Sequence, residues 1–199
     1  MQAVIFDWGG VLMRTEDPVP RSLWERQLGI PSGTLETSVH GSTAWTRVQQ
    51  GRLDTNGFWE EIARQLHIDP EQIPDFRYDF YRGDVLDRDL IELIRELRAR
   101  GVVIGLLSNN SSDLLLEIDA LRIGPFFDVI VISSQIGTLK PEPAAYQAVL
   151  QQLRTPPHNA LLIDDSAQNV HGARALGMEA IHYIPGLDVR HELQRWFSL

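Results

Sequence analysis

No cysteine occurs anywhere in the 199 residues. Disulfides, thiolate nucleophiles and cysteine-ligated zinc are excluded together. Histidine is sparse, with six in the chain, and none has the spacing of a metal-binding motif, so zinc is not expected. Long apolar runs are missing too. Val102 to Leu107 is among the longest, far below the roughly 18 residues of a membrane span. The opening Met-Gln-Ala-Val-Ile-Phe-Asp has no basic segment ahead of its short apolar run, so it does not read as a secretory signal. The expected address is the cytoplasm, with no membrane partner. Positive charge is in the minority: 18 Lys and Arg face 27 Asp and Glu, a formal net charge of −9. Nucleic acid calls for a positive surface and is not an expected partner. A small anionic substrate remains compatible, because a few placed cations and one metal can hold it.

Hydrophobic residues at 43% and charged residues at 23% fit a soluble globular chain rather than a disordered one. The length suits one core domain carrying an insertion, as a monomer or a homodimer. Proline and glycine are scattered, so no low-complexity linker stands out, and no internal repeat is visible.

Five short, continuous apolar runs read as strands buried on both faces: Ala3–Phe6, Val102–Leu107, Val129–Ile132, Ala160–Ile163 and Ala180–Tyr183. Helical patterns lie between them. Leu86, Leu90, Ile94 and Leu97 share a face ahead of Gly101. Ser111 and Ser112 are placed to cap a helix running to about Arg122. Further helices are expected over Pro143–Arg154, over Ala167–Leu176 and from near Asp188. This alternation predicts an α/β fold with a doubly wound parallel sheet. The segment 15–84 has no convincing strand; Leu23, Phe58, Ile62 and Leu66 recur at helical spacing, and Pro31 suits a helical first turn. We expect a Rossmann-like core of residues 1–14 and 85–199, with 15–84 an all-helical cap inserted after the first strand. Such an insertion sits over the ligand crevice of an open sheet. Trp24, Trp45 and Trp59 are expected in the cap's core, and His40, Trp45 and Arg47 are candidates for its substrate face.

Polar residues stand where apolar strands end: Asp7, Ser108, the Asp164–Asp165 pair and, past the third strand, Lys140. Parallel strands bring their C-terminal ends to one edge. Three carboxylates in one crevice need a cation, and hard oxygen ligands beside phosphate suit Mg²⁺. A carboxylate can attack phosphorus while a lysine and backbone amides balance the charge, which is most of what phosphoryl transfer asks of a protein. Each residue alone also fits a turn or a helix cap; the order of all four on successive strands carries the argument.

That order resembles the four-motif signature of the haloacid dehalogenase-like hydrolases. The run Leu162-Ile163-Asp164-Asp165-Ser166-Ala167-Gln168-Asn169 through Gly177-Met178 resembles the subfamily with a helical cap after its first motif. Ile5-Phe6-Asp7-Trp8-Gly9-Gly10-Val11-Leu12 resembles its sugar-phosphate-phosphatase branch. The resemblance covers nearly the whole chain and is weakest in the cap. It implies a Mg²⁺-dependent phosphatase of small phosphorylated metabolites, a sugar phosphate among them. Asp7 would be the nucleophile and a metal ligand, and the Gly9 carbonyl a main-chain ligand. Ser108 and Asn109 would bind phosphate, and Lys140 would act in both catalysis and phosphate binding. Asp165 would ligate the metal, Asp164 would do so directly or through water, and Asn169 would support the site from its helix.

Gly9 departs from the family pattern. A second aspartate usually stands there as general acid and base, help typically worth roughly 10²–10⁴-fold. Two alternatives stay open. One is a metal-independent haloacid dehalogenase, against which the Asp164–Asp165 pair argues by repelling an anionic substrate. The other is a catalytically impaired binding or regulatory member, for which Gly9 is the support.

Overall fold

A computed structural model describes residues 2–197. The chain begins with β1 (Ala3–Phe6) and β2 (Met13–Thr15). Next come α1 (Val19–Leu28), α2 (Leu35–His40), α3 (Thr43–Gln49), α4 (Thr55–Leu66) and α5 (Ile73–Tyr81). It returns through β3 (Asp84–Leu86), α6 (Arg88–Ala99), β4 (Val103–Ser108), α7 (Leu114–Ala120) and β5 (Val129–Ile132). Last are α8 (Ser133–Ile136), α9 (Pro143–Leu153), β6 (Ala160–Asp164), α10 (Ala167–Ala175), β7 (Glu179–His182) and α11 (Val189–Leu193).

Among the described residues the main sheet is five-stranded and parallel, in the order β5-β4-β1-β6-β7. Alternate residues of β1 serve opposite faces, as strand geometry requires. Val4 and Phe6 pack with Leu90, Ile94 and Leu97 of α6 and with Ile118 of α7. Ala3 and Ile5 pack with Val149 and Leu153 of α9 and with Val170 and Ala173 of α10. Both faces of the sheet are therefore covered. This is the expected doubly wound core, with a helical cap inserted after the first strand.

The insertion has its own core, in which Trp24, Leu35, Phe58, Trp59, Ile62, Phe76 and Phe80 are buried. Trp24 meets Phe76 edge-on at 5.0 Å between ring centres, and Trp59 meets Phe76 at 5.6 Å. Truncating one of these rings to alanine typically costs about 3–5 kcal/mol. Asp54 caps α4 by accepting from the Gly57 N–H at 2.7 Å.

The structure differs from the sequence reading in several places. β2 and β3 pair antiparallel at the two ends of the insertion, Met13 with Leu86 and Thr15 with Asp84. Three residues are too few to show a period, so the ribbon left no pattern to read. Leu86 belongs to this ribbon rather than to the following helix, which starts after Asp87, whose carboxylate accepts from the Leu90 N–H at 2.9 Å. Pro31 lies in a turn rather than a helix, and α2 begins at Leu35. There the buried Glu25 carboxylate of α1 takes the Leu35 N–H at 2.9 Å. α7 starts beyond Ser111 and Ser112, with Asp113 at its N-cap, and ends at Ala120.

Candidate active site

Asp7 follows the last residue of β1, and its own N–H still joins the sheet through Ile163 at 2.9 Å. Ser108 ends β4 and Asp164 ends β6. Parallel pairing thus sets all three at the same edge. Lys140 arrives on the loop between α8 and α9 and buries its side chain completely. Its Nζ lies 2.8 Å from Asp7 Oδ1 and 2.6 Å from Asp164 Oδ2.

Asp164 is fully buried and densely bonded. Oδ1 accepts from the Ser166 N–H and from Asn169 Nδ2, each at 2.9 Å, while Oδ2 takes the lysine. Asn169 is aimed by α10, and its main-chain carbonyl accepts the Tyr146 hydroxyl at 2.8 Å. Asp165, next in the chain, is exposed and opens onto the crevice. Carboxylate oxygens of Asp7, Asp164 and Asp165 all lie within 4.8 Å of one another.

Burial first, and the neighbouring Asp164 charge with it, push the Asp7 carboxyl up to about 7 against the opposing pull of Lys140. Burial would lower the Lys140 ammonium, but Asp7 and Asp164 outweigh it and hold the group above its ordinary range. Burial and Asp164 also raise Asp165. One ammonium among three carboxylates leaves surplus negative charge, and a divalent cation is the natural complement.

The Asn109 side chain bonds the lysine's backbone through both of its polar atoms. Its Nδ2 donates to the Lys140 carbonyl and its Oδ1 accepts from the Lys140 N–H, both at 2.8 Å. The side chain is therefore a clamp on Lys140. Gly10, rather than Gly9, is the constrained glycine. It takes φ 76°, and a Cβ there would stand 2.0 Å from Asp165 Oδ2. A Cβ on Gly9 would meet nothing within 4 Å.

Between these groups and the insertion lies a crevice of about 1020 Å³. Asp7, Gly9, Ser108, Asn109 and Asp165 line it from the core, and His40, Trp45, Trp59 and Tyr81 from the insertion. Lys140, Asp164 and Asn169 sit beneath, buried. Burial lowers the His40 imidazole to about 4, and the Arg21 charge adds to this, so the ring is neutral near pH 7. With its Nδ1 proton directed at Glu36 Oε1, 2.7 Å away, His40 Nε2 accepts from the Tyr81 hydroxyl at 3.3 Å. Arg47 is not among the described residues that line the crevice; it pairs with Glu61 at 3.0 Å on the outside of the insertion. Ser133, Tyr146 and Gln49 also hold the site in place, and no motif in the sequence marks them.

A family model described as haloacid dehalogenase-like hydrolase matches residues 1–177. The chain belongs to that family. Among proteins similar to this haloacid dehalogenase-like hydrolase is mouse acyl-CoA dehydrogenase family member 10, 32% identical over 192 residues. That match takes in 90% of this chain but only 18% of the mouse protein. Phosphatase MT3486 of Mycobacterium tuberculosis is 31% identical over 193 residues, covering 90% of this chain and 86% of that one. Among solved structures, a family enzyme from Bacteroides thetaiotaomicron in complex with magnesium and inorganic phosphate superposes with a TM-score of 0.79. It covers 96% of this chain and 98% of that one at 19% identity, a likeness of fold. No helix among the described residues is long and apolar enough to cross a membrane.

Proposed function

We propose that this hydrolase is a Mg²⁺-dependent phosphatase of small phosphorylated metabolites, with Asp7 as nucleophile and sugar phosphates the first class to test. The observation that carries the reading is the three-carboxylate cluster with Lys140 Nζ 2.8 Å from Asp7. The names of similar proteins point the same way, phosphatase MT3486 among them. The exposed Asp165 carboxylate disfavours the dehalogenase alternative, since an anionic haloacid would meet it uncompensated.

An oxygen-only donor set fits Mg²⁺ rather than a softer metal. Asp7, the Gly9 carbonyl and Asp165 would hold the ion, with Asp164 close enough to bind it directly or through water. When bound, it neutralises and orients phosphoryl oxygens. The remaining chemistry falls to the chain. An Asp7 carboxylate oxygen attacks phosphorus, the ester P–O bond breaks, and the leaving oxygen takes its proton from water. A second water then attacks the aspartyl-phosphate. Its oxygen ends on the released phosphate, its proton passes to solvent, and Asp7 is restored. Lys140 fixes the Asp7 oxygen and offsets charge as the phosphoryl group transfers. Ser108, which lines the crevice, would donate to the other phosphoryl oxygens.

The test is orthophosphate release from a panel of phosphorylated metabolites, with Mg²⁺ and with chelator, by the native chain and by Asp7→Asn. We expect release that needs Mg²⁺ and disappears in Asp7→Asn while circular dichroism is unchanged. Release that persists in the folded variant removes Asp7 from the mechanism. Halide release from a 2-haloacid in chelator would return the protein to the dehalogenases.

A further inference from the structure

Gln49, the last residue of α3, reaches from the insertion to the core. Its Nε2 donates to the main-chain carbonyl of Asn109 at 3.0 Å. The same peptide group is held on its other side, where the Asn110 N–H donates to Ser133 Oγ at 3.0 Å. Asn109 in turn clamps the Lys140 backbone, and Lys140 touches Asp7. A continuous chain of polar contacts therefore runs from the insertion to the nucleophile. Two residues past Gln49, Gly51 takes φ 70°, and a Cβ there would stand 2.4 Å from the Ser134 carbonyl oxygen. Backbone lies against backbone at this point, so a side chain at 51 would lift this end of α3 and draw Gln49 away from Asn109. By contrast, the Arg77–Asp113 pair between α5 and α7 is 3.3 Å long and exposed at both ends. Pairs of that kind contribute little.

We infer that Gln49 is a positioning residue that completes, from the insertion, the hold that Ser133 supplies from the core on the peptide after Asn109, and so sets the phosphate-binding motif. This rests on the phosphatase reading above. The residue type suits the role, since a neutral amide supplies a donor without adding charge beside the phosphoryl group. Its acceptor is a main-chain carbonyl that no substitution removes, so only the insertion side of the contact can be varied.

The experiment uses the full chain with Mg²⁺ and 4-nitrophenyl phosphate. Gln49→Ala should lower kcat about five- to tenfold, the order of one neutral hydrogen bond. KM should stay within about twofold, the mark of an interaction that matters after binding. Gln49→Glu offers only acceptors at neutral pH and should be slower than the alanine variant. Its rate relative to the native chain should climb as pH falls from 8 to 5, because the protonated carboxyl regains a donor. A residue that merely packs the insertion gives no such pH-dependent ratio. Independently of turnover, amide hydrogen exchange over residues 108–111 should quicken in Gln49→Ala. Native kcat together with native exchange in that variant, or a flat pH ratio for Gln49→Glu, overturns the inference. A native chain that releases no nitrophenol counts against the phosphatase reading instead, and the exchange measurement still decides the role of Gln49.

Discussion

Gly9 leaves room for a residue that is not there. Its φ is not in the left-handed region, and a Cβ would touch nothing within 4 Å, so the backbone accepts a side chain here. A carboxyl group beside the crevice can donate a proton to the leaving oxygen and accept one from the attacking water. Gly9→Asp should therefore raise kcat on alkyl phosphates by a factor within about 10²–10⁴. Aryl and acyl phosphates, which leave readily unprotonated, should gain least. Stopped-flow comparison of the two classes checks this: equal gains, or none in a folded Mg²⁺-binding variant, would mean that protons move by another route. At this scale the sequence says a good deal about Asp7, Ser108 and Asp165, because a polar residue at the end of a buried strand has one edge to go to, whereas Lys140, on a loop, was legible only through its order among the motifs. It says nothing about Gln49 or Tyr146. Gln49 meets its partner 60 residues away and Tyr146 meets its own 23 away, in both cases through a main-chain carbonyl. Backbone acceptors carry no residue signature.

At the scale of elements, α3 separates two residues that the sequence groups together. Trp45 and Arg47 are two positions apart on one helix and so cannot share a face. Trp45 lines the crevice, whereas Arg47 turns to Glu61. Trp45→Leu should shift the ranking of metabolites by kcat/KM while leaving the rate on 4-nitrophenyl phosphate within about threefold, as expected for a contact with the leaving group alone. Arg47→Ala should change neither, its ion pair being exposed. An altered ranking in Arg47→Ala would place the specificity surface elsewhere. The parallel strands were legible because burial on both faces makes them continuously apolar. The helices of the insertion were legible as a class but not in their limits. Pro31 carries a helix-start signal, yet the buried Glu25 carboxylate sets the start at Leu35 by supplying the cap from another helix.

For the whole molecule, the proposed Mg²⁺ site should tie stability to metal. Replacing Lys140 by methionine keeps the stem and removes the charge, leaving Asp7 and Asp164 unpaired in the interior. Breaking a buried pair in this way costs about 3–5 kcal/mol. At about 2–4 °C per kcal/mol for a chain of this size, Tm should fall by roughly 6–20 °C. Mg²⁺ should recover part of the loss, since a ligand at about 100 times its Kd contributes about 2.7 kcal/mol. It should also raise the native midpoint and fail to raise that of Asp165→Asn. The same Mg²⁺ shift in Asp165→Asn, read by scanning calorimetry, would move the metal away from this residue. Beyond the site, Met13–Thr15 and Asp84–Leu86 pair as a separate two-stranded ribbon, so the chain leaves the core and returns to it through neighbouring peptides. To that ribbon, everything between is a hairpin loop, and each doubling of loop length adds only about 0.6 kcal/mol of closure entropy. A cassette of another length can thus be spliced between residues 16 and 83 while the strand bearing Asp7 stays in register, provided that it brings its own donor to the Asn109 carbonyl where Gln49 now stands.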